Sequence, residues 1–283
     1  MVETIPAPPV SAPRYALPAG ACDAHSHVFG PHDRFRPTQP TIYALPDATQ
    51  EVQAATRARL GVARGVLTQP APYGTDPSAM LEALRGSGGA LLGIAVAAPD
   101  VTDATLEDWH AAGIRGLRFT EVRAPGGGRY PGSIGLDALR DLAPRMRDLG
   151  WHAQIWASAA DMPALLPAAL GHGIPLVLDH MGMPDPARGT DDPGFAAIRA
   201  ALRDGRLWVK LTTCRIKGDA RPFHDALIAA NPDRLLWGSD WPYVRMDPPP
   251  DAGVLLDRFH EWTAEEALRH RILVDNPARL YGF

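Results

Sequence analysis

The sequence predicts an α/β chain closed into a single-domain (β/α)8 TIM barrel, and three observations carry that reading. Eight short apolar runs recur with helix-forming segments between them, which implies parallel pairing through crossover helices. The 283 residues suit one such barrel, which typically takes about 250. Open doubly wound sheets alternate in the same way, but no glycine-rich phosphate fingerprint follows the first run.

In chain order, residues 1–19 come first, and Pro6, Pro8, Pro9, Pro13 and Pro18 predict an extended surface arm ahead of a barrel spanning 20–283. This start has neither the basic region nor the continuous apolar stretch of a signal peptide. The first four candidate strands are "CDAHSHV" (22–28), "ARGVLTQ" (63–69), "LLGIAVA" (91–97) and "IRGLRFT" (114–120). The other four are "HAQIWAS" (152–158), "PLVLDHM" (175–181), "LWVKLTT" (207–213) and "LLWGSDW" (235–241). Between them, "DATLEDWHAAG" and "GLDALRDLAPRMRDLG" end on Gly113 and Gly150, natural helix terminators. "TAEEALRHRIL" opens with Thr263 and Glu266 at the spacing of a capping box. "APGGGRYPGSIG" (124–135) lacks the Walker pattern and reads as a flexible loop after the fourth strand.

Composition narrows the function classes. At 46% hydrophobic and 21% charged, the chain describes an ordinary globular protein with ample core. A net charge of −4 with no basic stripe argues against a nucleic-acid partner. No run approaches the roughly 18 apolar residues of a membrane span. Cys22 and Cys214 are too few and too far apart for a disulfide scaffold and read as reduced, which suits the cytoplasm.

Barrels of this kind build their sites at the C-terminal ends of the strands, and polar residues gather there. On the first strand, period-two alternation places Asp23, His25 and His27 on one face. Arg118 ends the fourth strand, Asp179 and His180 the sixth, Thr212, Thr213 and Arg215 the seventh, and Asp240 the eighth. Trp156, Tyr43 and Gln69 are the further candidates for contact with a small-molecule substrate. Each residue alone has a structural explanation. Their convergence at one barrel end points to an active site.

These residues also carry a family resemblance. "DAHSHVFGP", "VLDHMGMPD", "LLWGSDWP" and the ending "LVDNPARLYGF" resemble the amidohydrolase superfamily, amidohydrolase-2 type. Within it they are similar to the lactonase branch that includes 2-pyrone-4,6-dicarboxylate hydrolase. The resemblance implies that Asp240 activates water as general base while His25, His27 and His180 polarise a lactone carbonyl. It also implies that Arg118 and Arg215 clamp an anionic group, a task suited to the guanidinium fork. Burial at the barrel mouth is expected to shift the Asp240 pKa upward.

Metal-dependent members of the superfamily commonly add a ligand from the middle strands. Here the fourth strand offers Arg118 and the fifth Gln154 and Trp156, while His152 starts its strand too far from the site. The expectation is therefore that no cofactor is required. The alternative is a single divalent ion, zinc or manganese, on His25, His27 and Asp240, with His180 as a further ligand. Trp156 stands where the pyrone hydrolases place a tyrosine, Met183 where they place an arginine, and Pro70 and Ala71 where they place small hydroxyl residues. A monocarboxylated, sulfonated or sugar-acid lactone then fits as well as the dicarboxylate. Competing readings are a metal-dependent decarboxylase, an aldarolactone isomerase and, from another class, a non-catalytic binding barrel.

Overall fold

The computed structural model describes residues 3–283, so the first two residues of the expected arm lie outside it. One sheet carries eight parallel strands in sequential order. They are β1 (Cys22–Ser26), β2 (Arg64–Thr68), β3 (Leu91–Ala95), β4 (Ile114–Thr120), β5 (His152–Trp156), β6 (Leu176–Leu178), β7 (Leu207–Lys210) and β8 (Leu235–Leu236). A helix follows each strand: α1 (Gln50–Leu60), α2 (Ser78–Gly86), α3 (Asp103–Ala111), α4 (Leu139–Asp148), α5 (Met162–Gly171), α6 (Pro193–Arg203), α7 (Arg221–Ala230) and α8 (Ala252–Trp262). The sheet closes on itself where the Ala24 amide donates to the Trp237 carbonyl at 2.8 Å and the Asp240 amide to the His25 carbonyl at 2.8 Å. This is the TIM barrel that the alternation predicts.

Several strands stop earlier than expected, and the reason is local backbone. β6 ends at Leu178 and β8 at Leu236, because His180 (φ 52°), Met181 (φ 57°) and Asp240 (φ 66°) take left-handed conformations that no strand continues. Gly113 and Gly150 follow α3 and α4 with positive φ, as helix terminators do. The capping box does not form. Thr263 is the C-cap of α8, its hydroxyl is 3.1 Å from His224 Nε2, and the next helix (Glu266–His270) starts after Glu265 without a side-chain cap.

Alternation inside the barrel separates an apolar floor from a polar mouth. Cys22, Ala24, Val66, Leu92, Ile94, Val177, Trp208 and Leu236 cluster with Tyr281 and plug the N-terminal end. His152 belongs to this end too, edge-on to Tyr281 at 5.3 Å between ring centroids.

Asp23 departs from the sequence reading. The β1–β2 register shifts between Asp23 and Ser26, so alternation is broken and Asp23 does not share a face with His25. Its carboxylate instead accepts from the His25 amide (3.0 Å), the Ser239 amide (2.9 Å) and the Ser239 hydroxyl (2.6 Å). Asp23 thus ties the start of the barrel to the segment after β8.

Residues before the barrel are held against it. Thr4–Pro6 pairs in parallel with Leu45–Asp47, the Pro8 carbonyl accepts from Trp241 Nε1 at 3.1 Å, and the Arg14 amide donates to Asp257 at 2.7 Å. No described helix is long and apolar enough to cross a membrane.

Replacing Asp23 with alanine would leave two buried amides without an acceptor, and the Ser239 hydroxyl with only the His25 carbonyl at 3.4 Å. At about 1–3 kcal/mol for each unsatisfied group, Asp23→Ala is expected to lower the unfolding free energy by at least about 2 kcal/mol. Urea denaturation checks this, and an unchanged midpoint would remove Asp23 from the closure of the barrel.

Candidate active site

Asp240 stands at the centre of the barrel mouth. Its Oδ1 lies 3.5 Å from His25 Nε2, 3.4 Å from His27 Nε2 and 3.9 Å from His180 Nε2. Its Oδ2 accepts from Arg215 Nε at 2.5 Å. Gly238 makes room for this approach, since a Cβ there would sit 2.6 Å from the Cβ of His25. His27 is oriented from behind by the Thr68 carbonyl, 2.6 Å from Nδ1; because a carbonyl only accepts, Nδ1 carries the hydrogen.

A second carboxylate lies beneath. Asp179 Oδ1 is 3.2 Å from His25 Nδ1 and 3.4 Å from Lys210 Nζ, while Oδ2 faces Gln154 Nε2 at 3.2 Å and Arg118 Nη2 at 3.5 Å. All of these groups are buried.

Burial alone would raise the Asp240 carboxyl, but Arg215 and then His180 and His27 outweigh it and hold the group well below 3.8. The upward shift expected from the sequence is therefore reversed, because that expectation left out the guanidinium. Burial lowers His25 well below 6.5 against the pull of Asp179, and lowers His180 to about 4 against Asp240, so both rings are neutral at pH 7. Burial likewise lowers Lys210 to about 8, opposed by Asp179.

A cavity opens above Asp240 and brings together most of the residues singled out in the sequence. His27, His180, Asp240, Arg118, Arg215, Trp156 and Tyr43 line it, and His25 lies just below. Arg118 stacks over Trp156 at 5.1 Å and keeps its buried Nε without a partner. Arg215 spends Nε on Asp240 and Nη1 on the Val244 carbonyl at 2.9 Å. Gln69 does not join them. Its side-chain amide donates to the Gly74 carbonyl (2.7 Å) and accepts from the Val96 amide (2.9 Å), bracing two loops.

The sequence reading missed three residues here. Arg245 and Tyr130 line the cavity from loops, the guanidinium 5.5 Å above the Tyr130 ring, and no periodicity reports on loop residues. Lys210 did leave a signal: a lysine inside the apolar run "LWVKLTT", on the same face as Thr212.

The donor set fits a divalent ion. Ligand atoms of His25, His180 and Asp240 lie within 4.8 Å of one another, and His25 Nε2 is buried without a hydrogen-bond partner. The sequence expectation named His25, His27 and Asp240 with His180 as a further ligand; the compact set here includes His180 and leaves out His27. The left-handed backbone of His180 turns its ring inward and gives it that place.

Comparison with known proteins identifies the family of the chain. A family model described as amidohydrolase matches residues 22–283. The chain is 36% identical over 288 residues to the 2-pyrone-4,6-dicarboxylate hydrolase of Comamonas testosteroni, covering 96% of this chain and 93% of the relative. It is 35% identical over 292 residues to a 4-sulfomuconolactone hydrolase of Rhizobium radiobacter, covering 97% and 96%. A solved structure from Agrobacterium tumefaciens is similar with a TM-score of 0.83 at 27% identity, over 96% of this chain and 99% of that one.

The ion pair with Arg215 has a measurable consequence. In the native protein the Asp240 carboxyl is expected to stay ionised at pH 4, because its pKa is held below 3.8. In Arg215→Met the largest of the groups holding it down is gone, and the pKa is expected to rise. Carbon-13 NMR titration of the Asp240 carboxyl reads the shift, and equal titration in both proteins would assign the depression to another group.

Proposed function

The chain belongs to the amidohydrolase family, and from that premise we propose that it hydrolyses a lactone carrying a carboxylate or another anionic group. One observation carries the proposal. A single ionised oxygen, Asp240 Oδ1, faces the Nε2 atoms of three histidines within 3.9 Å, in a cavity bordered by Arg118, Arg215 and Arg245. The relatives' names fit this chemistry, since a pyrone dicarboxylate and a sulfomuconolactone are both anionic cyclic esters.

In this reading Asp240 Oδ1 takes a proton from water as the water oxygen bonds to the lactone carbonyl carbon. Negative charge develops on the carbonyl oxygen, where Nε2–H groups of His25 and His180 donate to it. The ring C–O bond then breaks, and Asp240 returns its proton to the leaving oxygen. Arg215 keeps the base ionised at neutral pH. Arg118, with an unpartnered buried Nε beside Trp156, takes the anionic substituent.

A divalent ion held by His25, His180 and Asp240 would supply Lewis-acid polarisation and a more acidic water when bound. We infer that the reaction does not require one. Arg118, Lys210 and Arg215 already face two carboxylates, Asp179 and Asp240, so the site carries surplus positive charge before any ion enters.

The deciding experiment follows proton release from a panel of carboxylated, sulfonated, sugar-acid and neutral lactones, with metal content measured on the same sample. Turnover of an anionic lactone is expected on protein holding far less than one equivalent of metal. Activity that tracks metal occupancy would bring the ion into the mechanism, and no turnover of any lactone would sink the proposal. Asp240→Asn keeps shape but removes the base and is expected to lower kcat by about 10²–10⁴. Wild-type kcat in that variant would take the role from Asp240.

Arg118→Met separates substrate binding from structure. Removing one partner of a buried charge pair is expected to cost about 2–5 kcal/mol in kcat/KM for an anionic lactone and far less for a neutral one. Equal losses on both substrates would mark Arg118 as structural.

A further inference from the structure

Lys210 ends β7 with no exposure to solvent, and its ammonium has three hydrogens to donate and nothing with which to accept. Three polar atoms surround Nζ: Gln154 Oε1 at 2.5 Å, Asp179 Oδ1 at 3.4 Å and His25 Nδ1 at 3.4 Å. The Gln154 amide is fixed in this orientation, because its nitrogen donates to Thr68 Oγ1 at 3.1 Å and to Asp179 Oδ2 at 3.2 Å. Its oxygen therefore accepts from Lys210, while Asp179 Oδ1 faces the ammonium as an ion pair without a hydrogen bond. The other acceptor within hydrogen-bond reach of Nζ is His25 Nδ1.

We propose that Lys210 is a positioning residue for the hydrolysis: by donating to Nδ1 of His25 it places that ring's hydrogen on Nε2, the nitrogen aimed at Asp240 and the cavity. The catalytic part of this rests on the lactonase reading above; the tautomer does not. The alternative partner at Nδ1 is Asp179, 3.2 Å away. Were Nδ1 to carry the hydrogen toward that carboxylate, Nε2 would be bare, a metal ligand unable to donate to an oxyanion. His25 Nε2 is buried with no hydrogen-bond partner in the protein, so an Nε2 hydrogen there is available to a substrate oxygen. The charge of Asp179 is balanced without the histidine hydrogen, since the Lys210 ammonium pairs with Oδ1 while Gln154 and Arg118 donate to Oδ2. The lysine thus selects between two chemistries that the same histidine could serve.

The test is nitrogen-15 NMR of the full-length, histidine-labelled, metal-depleted protein at pH 7, with His25→Gln identifying the His25 signals. Wild type is expected to show hydrogen on Nε2 and a bare Nδ1. Lys210→Met, which leaves Asp179 as the partner, is expected to show the reverse. On a turned-over lactone, Lys210→Met is expected to lose about 10- to 100-fold in kcat with KM nearly unchanged, the signature of an interaction made only in the transition state. An Nδ1 hydrogen in the wild-type protein overturns the proposal even if the variant fails to fold. So does wild-type kcat in a folded Lys210→Met. If no lactone is turned over, the functional reading fails, while the tautomer still stands or falls on the spectrum.

Discussion

Arg215 lies 2.5 Å from Asp240, and that guanidinium does the most to hold the buried carboxylate ionised. Burying a charge costs several kcal/mol unless it is paired, so the ion pair determines whether the barrel mouth contains a base at all. The arrangement below depends on it in turn. His25 reaches Asp240 through one nitrogen and the Asp179–Lys210 layer through the other, linking the two carboxylates by one ring. Three cations over two anions leave a site that attracts a negatively charged ligand before any specific contact forms.

The barrel was legible because eight apolar runs with crossovers admit few closed arrangements, and that same alternation put His180 and Asp240 at the correct end. Legibility failed where the alternation itself failed. The register shift in β1 turns Asp23 away from the face it shares on paper with His25, and left-handed backbone cuts β6 and β8 short. Gln69 sits at a strand end as a substrate contact would, yet loop carbonyl and amide groups claim it, a demand that exists only in three dimensions. The depressed Asp240 carboxyl was hidden for a similar reason, since burial could be guessed but the 2.5 Å approach of a residue 25 positions earlier could not. Lys210 was different. Its place in an apolar strand is visible in the sequence, one turn of the alternation below the strand tip where the other site residues stand.

His180 and Asp240 share a property that bears on how this barrel can change. Both hold positive φ, a conformation that costs a non-glycine residue on the order of 1–3 kcal/mol and that glycine adopts freely. At these two positions the backbone favours one residue and the chemistry another. Selection for a sturdier fold alone would drift toward glycine there and silence the site, whereas selection for turnover must keep the strained pair and recover the lost stability in packing elsewhere. A barrel of this kind is thus easier to stabilise into an inert scaffold than into a better catalyst.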